Sequence, residues 1–222
     1  NVSENKVDRE IVEAWLEAAT AAGYRRTVDY NREDQEGVGY FQMTMKNGRR
    51  CSSAAAYLKP ARKRSNLQIF TNAHSEKLLI DGNDVMGVRC KIQGKSVDIS
   101  ARREVILSAG SIGSPQLLML SGIGDAAELR PHGIDVLHHL SGVGKNLQDH
   151  LQARPVFKCR SSTINTETKN MFQLAAIAFQ YVLNRSGPMA MAASLGTGFL
   201  KTHDELECPD IQFHIQPFSA DN

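Results

Sequence analysis

"REVILSAGSIGSPQLLMLSGIG", residues 103–124, changes from a strand pattern to a helix pattern at a glycine. Val105–Ala109 is a continuous apolar run without alternation, which predicts a strand buried on both faces. The residues after Gly110 predict a helix over about Ser114–Leu120 that ends before Ser-Gly-Ile-Gly. A strand that turns on glycine into a helix can present backbone N–H groups to a phosphate, or it can simply pack the helix on a sheet.

The residues of the turn by themselves favour the simpler alternative. Gly110-Ser111-Ile112-Gly113 resembles half of a dinucleotide fingerprint. The full G-x-G-x-x-G pattern is missing, and no acidic residue follows at the end of a second strand about 20 residues later. On this evidence alone, an ordinary strand–turn–helix is favoured over a nucleotide site.

Composition excludes several other classes of protein. The 222 residues carry 26 basic and 24 acidic side chains, a net charge of +2, too balanced for a nucleic-acid or anionic-membrane binder. The basic run at residues 59–64, KPARKR, is therefore interpreted as a solvated surface turn. The longest apolar run, Met171–Leu183, has about 13 residues where a spanning helix needs about 20, so no membrane span is predicted.

No metal site is predicted. The four cysteines lie far apart and form no CxxC pair. Asp149 and His150 follow His138 and His139 closely in sequence, but adjacent histidines on a strand point to opposite faces. A metal needs three or four converging ligands, which this pattern does not supply.

Periodicity and turn residues predict a mixed order of helices and strands. The predicted elements are a helix over Val7–Ala22, a hairpin around Lys46-Asn47-Gly48, a short helix stopped by Pro60, a β-meander with strands at 66–71, 77–81, 85–92 and 96–101, and a short helix capped by Asp125 and ended by Gly133. The pattern changes after Pro155 to a polar loop and one long helix, so a domain boundary is predicted there.

The spacing of the whole segment resembles the glucose–methanol–choline (GMC) flavin oxidoreductases. The second signature of that family is matched at every fixed position: Gly110-Ser111-x-x-Ser114-Pro115-x-Leu117-Leu118-x-x-Ser121-Gly122-Ile123-Gly124. Segments upstream (GVGYFQMTMKNGRRCSSAAAYLKP) and downstream (GVGKNLQDHL) are similar to the family in the same order. The resemblance covers nearly the whole chain and is closest to the insect glucose dehydrogenases.

This resemblance implies an α/β fold that binds FAD. Residues 1–154 would be a portion of a doubly wound FAD-binding domain with a β-meander, and 155–222 the beginning of a substrate-binding domain. The FAD contacts that it implies are Ala109 and Gly110 at the adenosine half, the backbone of Ser75 at the adenine edge, and Asn146 and Asp149 near the flavin. Leu117, Leu118 and Leu120 are expected in the core, and His74 is interpreted as a surface histidine.

The resemblance also implies that the chain is an interior fragment. The Gly-rich loop for the FAD pyrophosphate and the catalytic histidine are expected outside it, so it contains no predicted catalytic residue and should be inactive alone. The parent implied by the resemblance would transfer hydride from an alcohol or sugar to FAD, with glucose oxidised to gluconolactone and a quinone or another acceptor taking the electrons. Choline, an ecdysteroid or an aryl alcohol as substrate, and a non-catalytic binding module, remain alternatives. Relatives in insects suggest a secreted protein.

Overall fold

The computed structural model describes residues 1–219. Its helices are α1 (Glu10–Ala21), α2 (Lys59–Ala61), α3 (Gly110–Leu120), α4 (Ala126–Leu129), α5 (Ile164–Glu167) and α6 (Met171–Asn184). Its strands are β1 (Gly37–Tyr40), β2 (Met45–Lys46), β3 (Arg49–Arg50), β4 (Ala73–Asp81), β5 (Asp84–Ile92), β6 (Lys95–Ser100), β7 (Ile123–Gly124), β8 (His138–His139), β9 (Gly196–Leu200) and β10 (Ile211–Ile215). The predicted mixed α/β fold with a β-meander is confirmed.

By their contacts the residues form two compact units, which are described separately. The first unit contains residues 1–67 and 154–219, and the second contains residues 68–153. The assignment of residues 1–154 to an FAD-binding domain and of 155–222 to a substrate-binding domain remains a prediction. By contacts, residues 1–67 group with the C-terminal part of the chain.

The core of the first unit lies between α1 and a three-stranded antiparallel sheet of order β1-β9-β10. The helix turns its apolar stripe inward, and both Val12 and Leu16 are fully buried. Apolar side chains from the sheet and the neighbouring loops complete this core: Val38, Met43, Leu195 and Leu200. Burial of such side chains contributes roughly 1.5–3 kcal/mol each, so α1 and the sheet stabilise one another.

Glycine in β9 allows α1 to lie close to the sheet. A Cβ added at Gly198 would be 3.0 Å from Trp15 Cη2 and 3.1 Å from Val38 Cγ1. Gly196 is similar, because its Cβ would be 3.0 Å from Val12 Cγ1. The small-residue pattern of this strand therefore has a packing reason.

We expect Gly198→Ala to lower the free energy of unfolding of the first unit by about 1–2 kcal/mol, because the methyl group must displace Trp15 or Val38. Chemical denaturation of the full-length protein with hydrogen exchange read out over α1 would measure this. Gly142→Ala is the control, since no other group of residues 1–219 lies within 4 Å of its added Cβ. Equal effects from the two changes would contradict the packing argument.

Of three local predictions for the first unit, two differ from its structure and one is confirmed. Helix α1 begins at Glu10 rather than Val7, because Arg9 is still extended (φ −136°, ψ 128°). The predicted hairpin around Asn47-Gly48 is confirmed with strands of two residues each. Pro60 does not stop the preceding helix, because a wide π-helical turn over Ala54–Leu58 leads directly into α2. Pro60 lies in the first turn of α2.

The second unit is built on the meander β4-β5-β6. Both tight turns predicted for it are present, with Gly82 (φ 57°), Gln93 (φ 50°) and Gly94 (φ 79°) in the left-handed region. The expected strand at 66–71 is absent, and the first strand is β4, which starts at Ala73. Helix α3 packs against β4, and β7 pairs in parallel with β8.

The apolar run Val105–Ala109 is not a strand, so this prediction is wrong. Within residues 1–219 no strand pairs with it, and Ile106 is 76% exposed. A strand buried on both faces needs hydrogen-bonded neighbours, and the described part of the chain supplies none. The apolar run alone is therefore not sufficient to form a strand, because a strand also needs hydrogen-bonded neighbours.

Helix α6 has an exposed apolar surface. None of its residues is buried, and Phe172 (88%), Phe179 (66%) and Leu183 (61%) are largely exposed. Within residues 1–219 there is no helix of the length and hydropathy that a membrane crossing requires.

Candidate functional site

The candidate site begins where α3 begins, at Ala109 and Gly110. Ala109 has φ −86° and ψ 9°, and Gly110 has φ +83°. The Ala109 N–H donates to Ser114 Oγ at 3.1 Å, which closes the turn. The helix therefore starts four residues before the predicted Ser114 and contains Pro115 in its interior.

Gly110 is required by the backbone, and the space beside it is open. An L side chain at φ +83° is strained, while glycine adopts this conformation readily. No other group of residues 1–219 lies within 4 Å of a Cβ added there. The site can therefore admit a planar or anionic group to the backbone, which fits the adenosine half of FAD.

Ser75 lies on β4 at an irregularity of the strand. It pairs with Cys90 of β5, whereas Lys77 pairs with Arg89, so one residue bulges between them. Ser75 Oγ lies 3.8 Å from Cys90 Sγ. The bulge changes the direction of the local backbone N–H and C=O groups, the groups that would contact an adenine edge.

Buried contacts join the strand of Ser75 to the helix of Gly110. Leu78 of β4 and Leu117 of α3 are 6% and 7% exposed, and the Leu78 N–H donates to Ser121 Oγ at 2.8 Å. Leu117 is thus in the core as predicted and Leu118 is half-buried. Leu120, also predicted in the core, is 47% exposed, so that prediction is wrong.

Asn146 and Asp149 lie on a separate loop of the second unit, outside its helices and strands. Asn146 has φ +56°, and Asp149 Oδ1 accepts a hydrogen bond from the His150 N–H at 2.8 Å. Lys145 begins the segment and pairs with Glu128 of α4, whose carboxylate raises the pKa of the lysine. The structure thus brings Ser75, Ala109 and Gly110 onto packed elements, and Asn146 and Asp149 onto a loop. Their roles in FAD binding remain predictions.

The sequence did not predict two residues of this region. Ser121 bridges α3 and β4, and the signature spacing indicated its position but not its partner. His139 Nδ1 accepts a hydrogen bond from the Ala126 N–H at 3.1 Å, beside Asp125, which accepts from Ala127 N at 2.9 Å as predicted. His139 therefore helps to cap α4.

The polar groups of Ser75, Ala109 and Gly110 that face this region are mostly backbone groups. In the described ranges no three His, Cys, Asp or Glu side chains are grouped so as to hold a metal ion. His74 lies exposed on β4, opposite Lys91 of β5. Free N–H groups at a helix start are groups through which a protein can bind an anionic or polar ligand.

Comparison with known proteins identifies the family. A family profile described as GMC oxidoreductase matches residues 1–152. The chain is 42% identical over 213 residues to an oxygen-dependent choline dehydrogenase of Staphylococcus xylosus, covering 96% of this chain and 38% of that protein. It is 41% identical over 216 residues to a protein of the same name from Brucella ovis, covering 97% and 39%.

Solved structures agree in fold. An FAD-dependent oxidoreductase from Chaetomium thermophilum superposes with a TM-score of 0.78 at 25% identity, covering 90% of this chain and 36% of that one. A formate oxidase gives a TM-score of 0.75 at 28% identity, covering 89% and 35%. The prediction of FAD as cofactor is confirmed at the level of the family, while a specific likeness to insect glucose dehydrogenase is not shown. The chain spans well under half the length of these proteins, and it belongs to the GMC oxidoreductase family.

Proposed function

We propose that the chain is the cofactor-binding portion of an FAD-dependent alcohol oxidoreductase, with the start of its substrate-binding domain. The observation that carries this proposal is Gly110, with its positive φ and open space at the start of α3, inside the family signature. The positive φ explains why a glycine stands here, and the open space beside it would let a cofactor approach the backbone closely.

The residues of this chain would bind and orient the cofactor. When bound, FAD supplies the acceptor for hydride from the alcohol carbon. Ala109 and Gly110 would contact the adenosine half by close backbone approach, and Ser75 would offer its N–H and C=O to the adenine edge. Asn146 and Asp149 would hydrogen-bond near the flavin. The base that takes the alcohol proton is expected outside these residues.

The names of the similar relatives favour choline as the first substrate to test. Two of them, at 42% and 41% identity over nearly the whole chain, are called oxygen-dependent choline dehydrogenases. Glucose with a quinone acceptor is the second candidate, carried by the resemblance of the motifs to insect glucose dehydrogenases. An ecdysteroid or an aryl alcohol, and a non-catalytic binding module, are the remaining rivals. That the full-length protein is secreted also remains a proposal.

An absorption spectrum of the purified full-length protein tests the proposal. We expect flavin bands that bleach when choline is added without oxygen and that return when air is admitted. Bleaching by glucose instead, with return only on adding a quinone, would support the second candidate. Flavin bands that no alcohol bleaches would favour the binding module, and a colourless protein that takes up no FAD would contradict the proposed function.

A further inference from the structure

Ser121 makes two hydrogen bonds in the interior of the second unit. Its Oγ accepts from the Leu78 N–H at 2.8 Å and donates to the Leu117 carbonyl at 2.6 Å. The residue is 6% exposed, so both bonds are shielded from water. A hydroxyl is suited to this position because it donates and accepts at the same time.

Within residues 1–219, no strand pairs with the outer side of β4, where the Leu78 N–H points to Ser121. In the order β4-β5-β6, β4 is an edge strand, and its outer N–H groups face away from β5. Leu78 pairs regularly with Val88 of β5, and it lies three residues after Ser75 and between the two register irregularities of β4. Ser121 therefore satisfies a buried backbone donor in the regular stretch of β4 next to the bulge, and it ties that stretch to the end of α3.

We propose that Ser121 is a positioning residue for FAD, fixing β4 relative to α3 and thus Ser75 relative to Gly110. This inference rests on the proposed function, because Ser75 and Gly110 are the segments assigned to the adenosine half. A cofactor held by two backbone segments binds well only when the distance between them is fixed. The Ser121 hydroxyl does not bond Ser75 or Gly110 directly. It acts on them through its hydrogen bonds to Leu78 of β4 and Leu117 of α3.

Removing the hydroxyl should weaken FAD binding. Ser121→Ala leaves the Leu78 N–H buried without a partner, which allows β4 to shift toward a hydrated arrangement. We expect the dissociation constant of FAD to rise about tenfold, because both hydrogen bonds of the hydroxyl are lost and the buried Leu78 N–H is left without its acceptor. Ser121→Cys, with a weaker acceptor, should give a smaller rise, and Ser121→Thr, which keeps the hydroxyl, should rescue binding.

The test uses the full-length protein stripped of FAD and titrated with it, with flavin fluorescence as the readout. Hydrogen exchange of the Leu78 amide in the FAD-free protein is the second readout and does not depend on activity. Thr20→Ala is the matched control, because Thr20 Oγ1 donates to the Leu16 carbonyl at 2.8 Å in α1 but bonds no strand. We expect it to change FAD affinity less than twofold.

The outcomes separate this inference from the proposed function. Weaker FAD binding and faster Leu78 exchange in Ser121→Ala, with rescue by threonine, would support the positioning role. If Ser121→Ala does not fold, the same comparison is made with Ser121→Cys. A protein that binds FAD equally well with and without the hydroxyl would overturn the inference alone. An unaltered protein that binds no FAD would overturn the proposed function and the inference together.

Discussion

Gly110→Ala is expected to lower the affinity of the full-length protein for FAD by on the order of a hundredfold. Two costs combine in this variant. Alanine at φ +83° is strained by about 1–2 kcal/mol relative to glycine. The added methyl group would also enter the open space assigned to the adenosine half, where overlap costs typically about 1–3 kcal/mol. Titration of the FAD-free variant, followed by flavin fluorescence, measures the loss.

Gly133→Ala separates the two costs. Gly133 follows α4 with φ +69°, and within residues 1–219 a Cβ there also meets no other group within 4 Å. The strain is therefore similar, but no cofactor contact is assigned to Gly133. We expect the affinity of the Gly133→Ala variant for FAD to stay within about twofold of that of the unaltered protein. Equal losses in both variants would mean that strain alone weakens binding and that Gly110 does not face the cofactor.

Local features of this fold could be predicted from the sequence, because neighbouring residues determine them. The Asn47-Gly48 and Gln93-Gly94 turns need positive φ, which these residue types tolerate. The cap of α4 by Asp125 is likewise local. The strand predicted at Val105–Ala109 failed because strand formation depends on a partner elsewhere in the chain, which periodicity does not reveal.

Only part of the candidate site could be predicted from the sequence. The signature spacing located Ala109 and Gly110, since the positive φ and the missing Cβ are properties of the residues themselves. Ser121 was inside the same signature, yet its partner Leu78 is 43 positions away in sequence. His139 caps a helix 13 positions before it. Such contacts depend on how elements pack, and a single sequence does not encode them in its spacing.

An ion pair between Arg9 and Glu167 fastens the start of α1 to α5 in the first unit. Arg9 Nη1 donates to Glu167 Oε1 at 2.6 Å and Nη2 to Oε2 at 3.1 Å, a two-point contact. The two side chains are only 14% and 18% exposed. A charge that is mostly withdrawn from water is costly without its partner, so the pair holds together two segments 158 residues apart.

We expect Glu167→Gln to destabilise the contact of α1 with α5 by about 3 kcal/mol, because the Arg9 guanidinium stays buried without its counter-charge. Hydrogen exchange over α1 and α5 in the full-length protein should become about a hundredfold faster. Glu13→Gln is the control, since the Arg26–Glu13 pair is 48% and 38% exposed and such pairs contribute under about 1 kcal/mol.

The double change Arg9→Met with Glu167→Leu should recover most of the loss, because apolar side chains of similar size remove both charges. If Glu167→Gln exchanges no faster than Glu13→Gln, then water reaches the Arg9 guanidinium and the pair does not stabilise this unit.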